Sequence, residues 1–128
     1  MEAVYVVVLL ALLEYQVLAA LVARARSRYG VKAPAIAGNP DFERTFRVHQ
    51  NTLESLIVFV PSVWIFGLYI SAAWAAALGA VFIVSRVIYA VGYIQAAEKR
   101  GPGAGLSGLV MAVLVVGGLI GLGLTFFK

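Results

Sequence analysis

The sequence predicts an all-α integral membrane protein, a single four-helix transmembrane bundle using the whole of residues 1–128. Composition is the first observation behind this. Of 128 residues, 62% are hydrophobic and 12% charged, with a mean hydropathy of +0.96, where a soluble domain carries about 25% charged residues. The second is length: residues 3–22, 53–70, 72–89 and 106–127 are apolar runs, each close to the roughly 20 residues that cross a hydrocarbon core. The third is that turn-forming residues fall between the runs.

The first run holds Glu14, lacks a basic leader and passes directly into Arg24 without a small-residue cleavage pattern. It therefore reads as a retained span and not as a signal peptide. Gly30, Pro34, Gly38 and Asn39 then break any continuous helix. Asn39-Pro40 suits an N-cap and first helical position, and Asp41 and Glu43 suit the positive end of the helix dipole. The second helix is expected to start near Pro40, with a polar first half to Glu54 and an apolar second half ending near Ile70. After a short gap the third is expected to run through Arg100, where Gly101-Pro102-Gly103 closes it. The fourth follows, with Ser107 as an early contact and Gly117, Gly118, Gly121 and Gly123 giving it small faces for close packing.

Charge placement sets the expected orientation. Arg24, Arg26, Arg28 and Lys32 follow the first span, and Lys99 and Arg100 follow the third. The connection between the second and third spans is uncharged, Glu2 is the N-terminal side-chain charge, and Lys128 is a minor contrary one. The two basic connections are thus expected on the cytoplasmic side and both termini on the other. The net charge of +4 calls for no nucleic acid, since the basic residues flank spans and there is no soluble domain to form a binding surface. Anionic lipid headgroups are the simple partners for the loop arginines. With no cysteine, the chain has no disulfide, thiolate nucleophile or thiolate metal ligand of its own, and no metal site is expected.

Two polar stripes interrupt the apolar pattern. At 100° per residue, Arg44, Arg47, Asn51 and Glu54 fall within about 80° of one helix face. Arg86, Tyr89 and Tyr93 form the second stripe, which includes Arg100 within about 60° if that helix continues. A charge facing lipid at mid-membrane costs at least about 2.5–3.5 kcal/mol. Both stripes are therefore expected to face protein or a water-filled cavity, making a buried, mostly cationic site.

The run Asp41-Phe-Glu-Arg-Thr-Phe-Arg-Val-His-Gln-Asn-Thr-Leu-Glu54, together with Arg86-Val-Ile-Tyr89-Ala-Val-Gly-Tyr93, resembles the MAPEG family, the membrane-associated proteins of eicosanoid and glutathione metabolism. The resemblance extends to the four-helix layout and to the basic Pro/Gly loop before the second helix. It implies a homotrimer that binds glutathione between subunits near the cytoplasmic face, in a bacterial inner membrane, and takes a lipophilic substrate from the bilayer. Residue by residue, it implies glutathione contacts for Arg26, Arg47, Asn51, Glu54, Arg86, Tyr89 and Tyr93, and thiol activation by Arg100. Ser27 stands where leukotriene-synthase-like members carry a second arginine, Ser55 where many members carry a tyrosine, and Pro102 about where the prostaglandin-synthase-like branch has its activating arginine. The implied activity is thus a general glutathione transferase or peroxidase of bacterial type.

The residue chemistry agrees with that implication. Glutathione carries two carboxylates and one ammonium, which arginine forks and Glu54 complement in charge. Other roles stand beside these. Glu54 with Arg47 or Arg86 would make an intramembrane ion pair that fixes packing. His49 points away from the Arg44 direction, which favours packing over catalysis. Tyr89 and Tyr93 would serve as interfacial anchors, and Arg44 would hold the helix terminus. Glu14 supports a different class, a small multidrug-type transporter exchanging protons through a first-helix carboxylate. A non-catalytic lipid-binding scaffold is the third.

Overall fold

The computed structural model describes residues 1–127, and Lys128, with the expectation attached to it, lies outside them. Four long helices follow one another: α1 (Glu2–Tyr29), α2 (Pro40–Tyr69), α3 (Ala72–Gln95) and α4 (Gly101–Thr125), with a 3-10 turn, Ala97–Arg100, before the last. At 24 to 30 residues and about 1.5 Å per residue, each exceeds the roughly 30 Å of a hydrocarbon core. All four are apolar enough to cross a membrane.

The helix ends follow local chemistry. Gly30 stops α1 in the left-handed region at φ 70°, and the Val31 N–H donates to the Arg26 carbonyl at 3.2 Å. Asn39 Oδ1 accepts from the backbone N–H groups of Asp41 and Phe42 at 2.9 and 3.0 Å, and Pro40 follows at the position where a missing N–H costs nothing. Ser71 caps α3 by accepting from the Trp74 N–H at 3.3 Å.

One expectation about the elements is corrected. The third helix does not run through Arg100: it ends at Gln95, and Ala96 is extended at φ −160°, ψ 135°. Gly101-Pro102-Gly103 opens α4 instead of closing α3, with Pro102 in the first turn. The physical reason is close packing. A Cβ on Gly92 would sit 2.6 Å from the Lys99 carbonyl oxygen, and one on Gly103 would overlap the Tyr89 backbone. Only with glycine at both positions does the chain fold back this tightly.

The bundle is layered along its axis. Near the end that holds Met1, an apolar cluster gathers Val4, Ala11, Leu56, Val63, Val110 and Leu114 around Phe59 and Phe82, whose rings stack at 3.9 Å. Toward the other end, Leu18, Val48, Tyr89 and Ala90 form a second cluster. Between them lies a polar layer of Thr52, Ser85, Arg86 and Ser107, all buried. The outer surface is the reverse, with Leu9, Ile57, Trp74, Leu109 and Leu119 each more than 60% exposed. Apolar outside and polar within is the arrangement a hydrocarbon solvent selects.

Glycines set the α2–α4 spacing. Gly118 lies against Ile65 and the Phe66 backbone, and Gly121 against Ile70 and the Tyr69 carbonyl, as expected for small faces. Trp64 and Trp74 face outward, while Phe66 and Phe82 are core. The α1–α2 loop and the turn before α4 share one end of the bundle. Arg44 marks it, donating from Nε to the Ile94 carbonyl at 3.1 Å while pairing with Asp41.

Candidate functional site

Arg86 is the centre of the polar layer. It is 3% exposed, and its Nη2 donates to Thr52 Oγ1 at 2.8 Å and its Nη1 to Ser107 Oγ at 3.4 Å. Ser107 in turn donates to the Gly103 carbonyl at 2.9 Å. The guanidinium carbon stands 4.0 Å from the centroid of the Tyr89 ring, a desolvated cation–π contact. Tyr89 accepts at its hydroxyl from Asn51 Nδ2 at 2.7 Å. Four helix positions on α2, α3 and α4 are thereby locked around one cation.

Beside this network, between α2, α3 and α4, lies a cavity of about 340 Å³. Asn51, Glu54, Arg86, Tyr89, Ser55 and Ser107 provide its polar lining, and Val58 and Met111 its apolar side. A second cavity of about 350 Å³, toward the basic end, is lined by Glu43, Arg44, Arg47, Gln50 and Tyr93. The Tyr89 and Tyr93 rings, 5.6 Å apart, stand between the two. Val58 also borders an apolar groove of about 320 Å³ running along α2 and α4 past Pro61, Ile65, Val115 and Leu119. The result is a polar site opening onto an apolar channel wall.

The expected residues divide accordingly. Asn51, Glu54, Arg86 and Tyr89 come together on one cavity, and Arg47 and Tyr93 on the neighbouring one. Arg100 lies outside the α3 register but still reaches Tyr93, its guanidinium carbon 5.8 Å from the ring centroid. Arg26 stands apart from both cavities. It donates to the carbonyls of Val31 and Ala35 at 3.3 and 2.6 Å and lies over the Phe42 ring at 4.8 Å, holding the α1–α2 loop closed. His49 stacks on Tyr15 with centroids 4.4 Å apart, a packing contact as expected.

The anticipated ion pair of Glu54 with Arg47 or Arg86 does not form: among the described residues, the side-chain ion pair is Arg44 with Asp41, and Glu54 and Arg47 are exposed on the single chain. Two charges at the surface of a membrane bundle need water, ligand or another chain against them. Thr52 and Ser55 had not been expected at the site. Thr52 follows the buried seven-residue spacing from Thr45, and a hydroxyl in that seam is the signal that marks it.

Four apolar helices around a buried arginine network, with a polar cavity beside it, define an integral membrane protein of the four-helix class. The chain belongs to the MAPEG family, whose model matches residues 3–120. It is 51% identical over 111 residues to an uncharacterised protein of Synechocystis, covering 87% of this chain and 81% of that one. It is 45% identical to microsomal glutathione S-transferase 2 of Bos taurus over 79% of this chain and 69% of the relative. It is 35% identical to leukotriene C4 synthase of Cavia porcellus over 62% of this chain and 53% of that one.

Proposed function

We propose that the protein is a membrane-bound glutathione S-transferase, with peroxidase activity toward lipid hydroperoxides, that activates glutathione as its thiolate. The observation that carries this is the convergence of Asn51, Glu54, Arg86 and Tyr89 on one cavity, with Val58 shared between it and the apolar groove. Relatives named as glutathione transferases and leukotriene C4 synthase support it.

In this scheme Glu54 takes the glutathione ammonium, and Arg47 takes a carboxylate, with Arg26 contributing from the last turn of α1 of a neighbouring copy in a homotrimer. Arg86 acts from within, fixing Tyr89, while Tyr93 flanks the sulfur. Tyr89 already accepts from Asn51, so its own hydroxyl proton is available to the ligand. A thiol of pKa about 8.5 is only a few per cent ionised at neutral pH, and an adjacent guanidinium favours the thiolate. Arg100, over Tyr93, supplies that charge. The sulfur lone pair then forms a bond to an electrophilic carbon, and the leaving group departs with its electron pair. With a hydroperoxide, the thiolate attacks the terminal oxygen, the O–O bond breaks and the alkoxide takes a proton. A second glutathione converts the resulting sulfenic acid to the disulfide and water. The basic end of the bundle faces the cytoplasm of a bacterial inner membrane, and detoxification of lipophilic compounds is the proposed role.

The test is ultraviolet difference absorbance of the detergent-solubilised protein titrated with glutathione near neutral pH. A saturable thiolate band is expected. Absence of the band, with no binding by calorimetry, would leave the lipid-binding scaffold. The transporter class accounts for Glu14 but gives no role to Asn51, Glu54, Arg86 and Tyr89, which share one cavity.

A further inference from the structure

One ionisable group in the polar layer has no part in that scheme. Glu14, half-buried, falls at helical spacing between the buried residues Ala11, packed in the Phe59–Phe82 cluster, and Leu18, packed with Val48, Tyr89 and Ala90. Its level in the bundle is therefore that of Thr52, between Val48 and Leu56, and of Arg86, between Phe82 and Tyr89.

The unused atoms are complementary. Glu14 Oε1, an acceptor, and Arg86 Nε, a donor, are both buried without a hydrogen-bond partner. Thr52 and Ser107 each accept from one terminal nitrogen of the guanidinium, and Nε is the guanidinium nitrogen without a partner. Those two partners are neutral hydroxyls. Among the described residues no carboxylate stands within ion-pair distance of Arg86. A cation that is 3% exposed needs compensation, because an uncompensated buried charge costs several kcal/mol. Of the α2 groups near this layer, His49, whose Nε2 is likewise buried without a partner, is stacked on Tyr15 and carries no negative charge, and Glu54 is exposed, leaving Glu14 as the carboxylate on the inner side.

We propose that Glu14 is the counter-charge of Arg86 and, resting on the glutathione reading above, a positioning residue for the pocket wall. Its charge, at the level of the guanidinium, favours the orientation in which Thr52 and Ser107 accept from the cation and the cation lies flat against Tyr89, and so keeps the Tyr89 hydroxyl on Asn51. It touches no reacting atom. Its influence on glutathione passes through Arg86.

A double-mutant cycle of Glu14→Gln and Arg86→Gln, with Glu14→Asp as the conservative variant, tests this in two readouts: glutathione Kd and thermal midpoint in detergent. Glu14→Gln is expected to weaken glutathione binding about tenfold, with partial recovery in Glu14→Asp and little further loss when added to Arg86→Gln. The midpoint of the double variant is expected to fall by less than the sum of the single losses. Additive losses in both readouts, or a Glu14→Gln protein with unchanged Kd and midpoint, would overturn the assignment. If the wild-type protein binds no glutathione, the proposed function fails, and the stability cycle alone decides the pair: coupling sustains the counter-charge and additivity removes it.

Discussion

Arg86 and Arg100 show how differently one residue type behaves at two depths. Arg86 is sealed between hydroxyls and a ring, while Arg100 is exposed on the 3-10 turn with its guanidinium toward Tyr93. Replacing them should therefore have separable effects. Arg100→Ala is expected to leave folding nearly unchanged and to raise the bound thiol's pKa by about 1–3 units, since a nearby cation shifts an acid by that amount, with glutathione still bound but more weakly at neutral pH by linkage. The pH dependence of the thiolate band checks it, and an unchanged midpoint would remove Arg100 from thiol activation. Thr52→Val keeps the shape but leaves an Arg86 donor unpaired, which costs about 1.5–3 kcal/mol for a charged group. Chemical unfolding in detergent should register that loss together with weaker glutathione binding. Asn51, Glu54, Arg86 and Tyr89 were legible in the sequence because polar residues at helical spacing stand out in an apolar chain. Thr52 was not, because a threonine inside a membrane helix bonds its own backbone as readily as a neighbour.

At the scale of elements, close approach is governed by glycine. The first turn of α4 rests on the Tyr89 backbone at Gly103, and the 3-10 turn rests on Gly92. Gly103→Val is expected to push α4 off α3, lowering stability by at least about 1–3 kcal/mol through overpacking and disturbing Tyr89 as it does so. The thermal midpoint should fall and the glutathione Kd rise together. A variant that lost stability with an intact Kd would uncouple the α3–α4 contact from the site. The start of α2 was legible because Asn39-Pro40 is a local signal that local hydrogen bonds satisfy. The end of α3 was not. Gly101-Pro102-Gly103 reads equally as a stop or as a helix start with Pro in the first turn, and packing at Gly92 and Gly103 decides between them.

For the whole molecule, the exposed Glu54 and Arg47 are the informative pair, since the single chain leaves both charges at its surface. In the proposed trimer a neighbouring copy and glutathione cover them. Native mass spectrometry of the detergent-extracted protein is expected to give three chains, and glutathione is expected to raise the temperature at which they separate. A monomer with full thiolate formation would place the site within one chain.

The sequence by itself determined the solvent, the four spans, the capped start of α2 and the two helix faces that carry polar groups. These follow from composition, length and the 3.6-residue period, which are local properties of the chain. Tertiary structure alone decided that Arg86 is fixed by Thr52 and Ser107 from two other helices, that Arg26 closes a loop, that Arg100 reaches Tyr93 from a turn, and that Glu14 shares a layer with Arg86. Each depends on the axial level at which separate helices meet, and close contacts at residues far apart in the chain, such as Gly79 against Val7 and Gly103 against Tyr89, set that level.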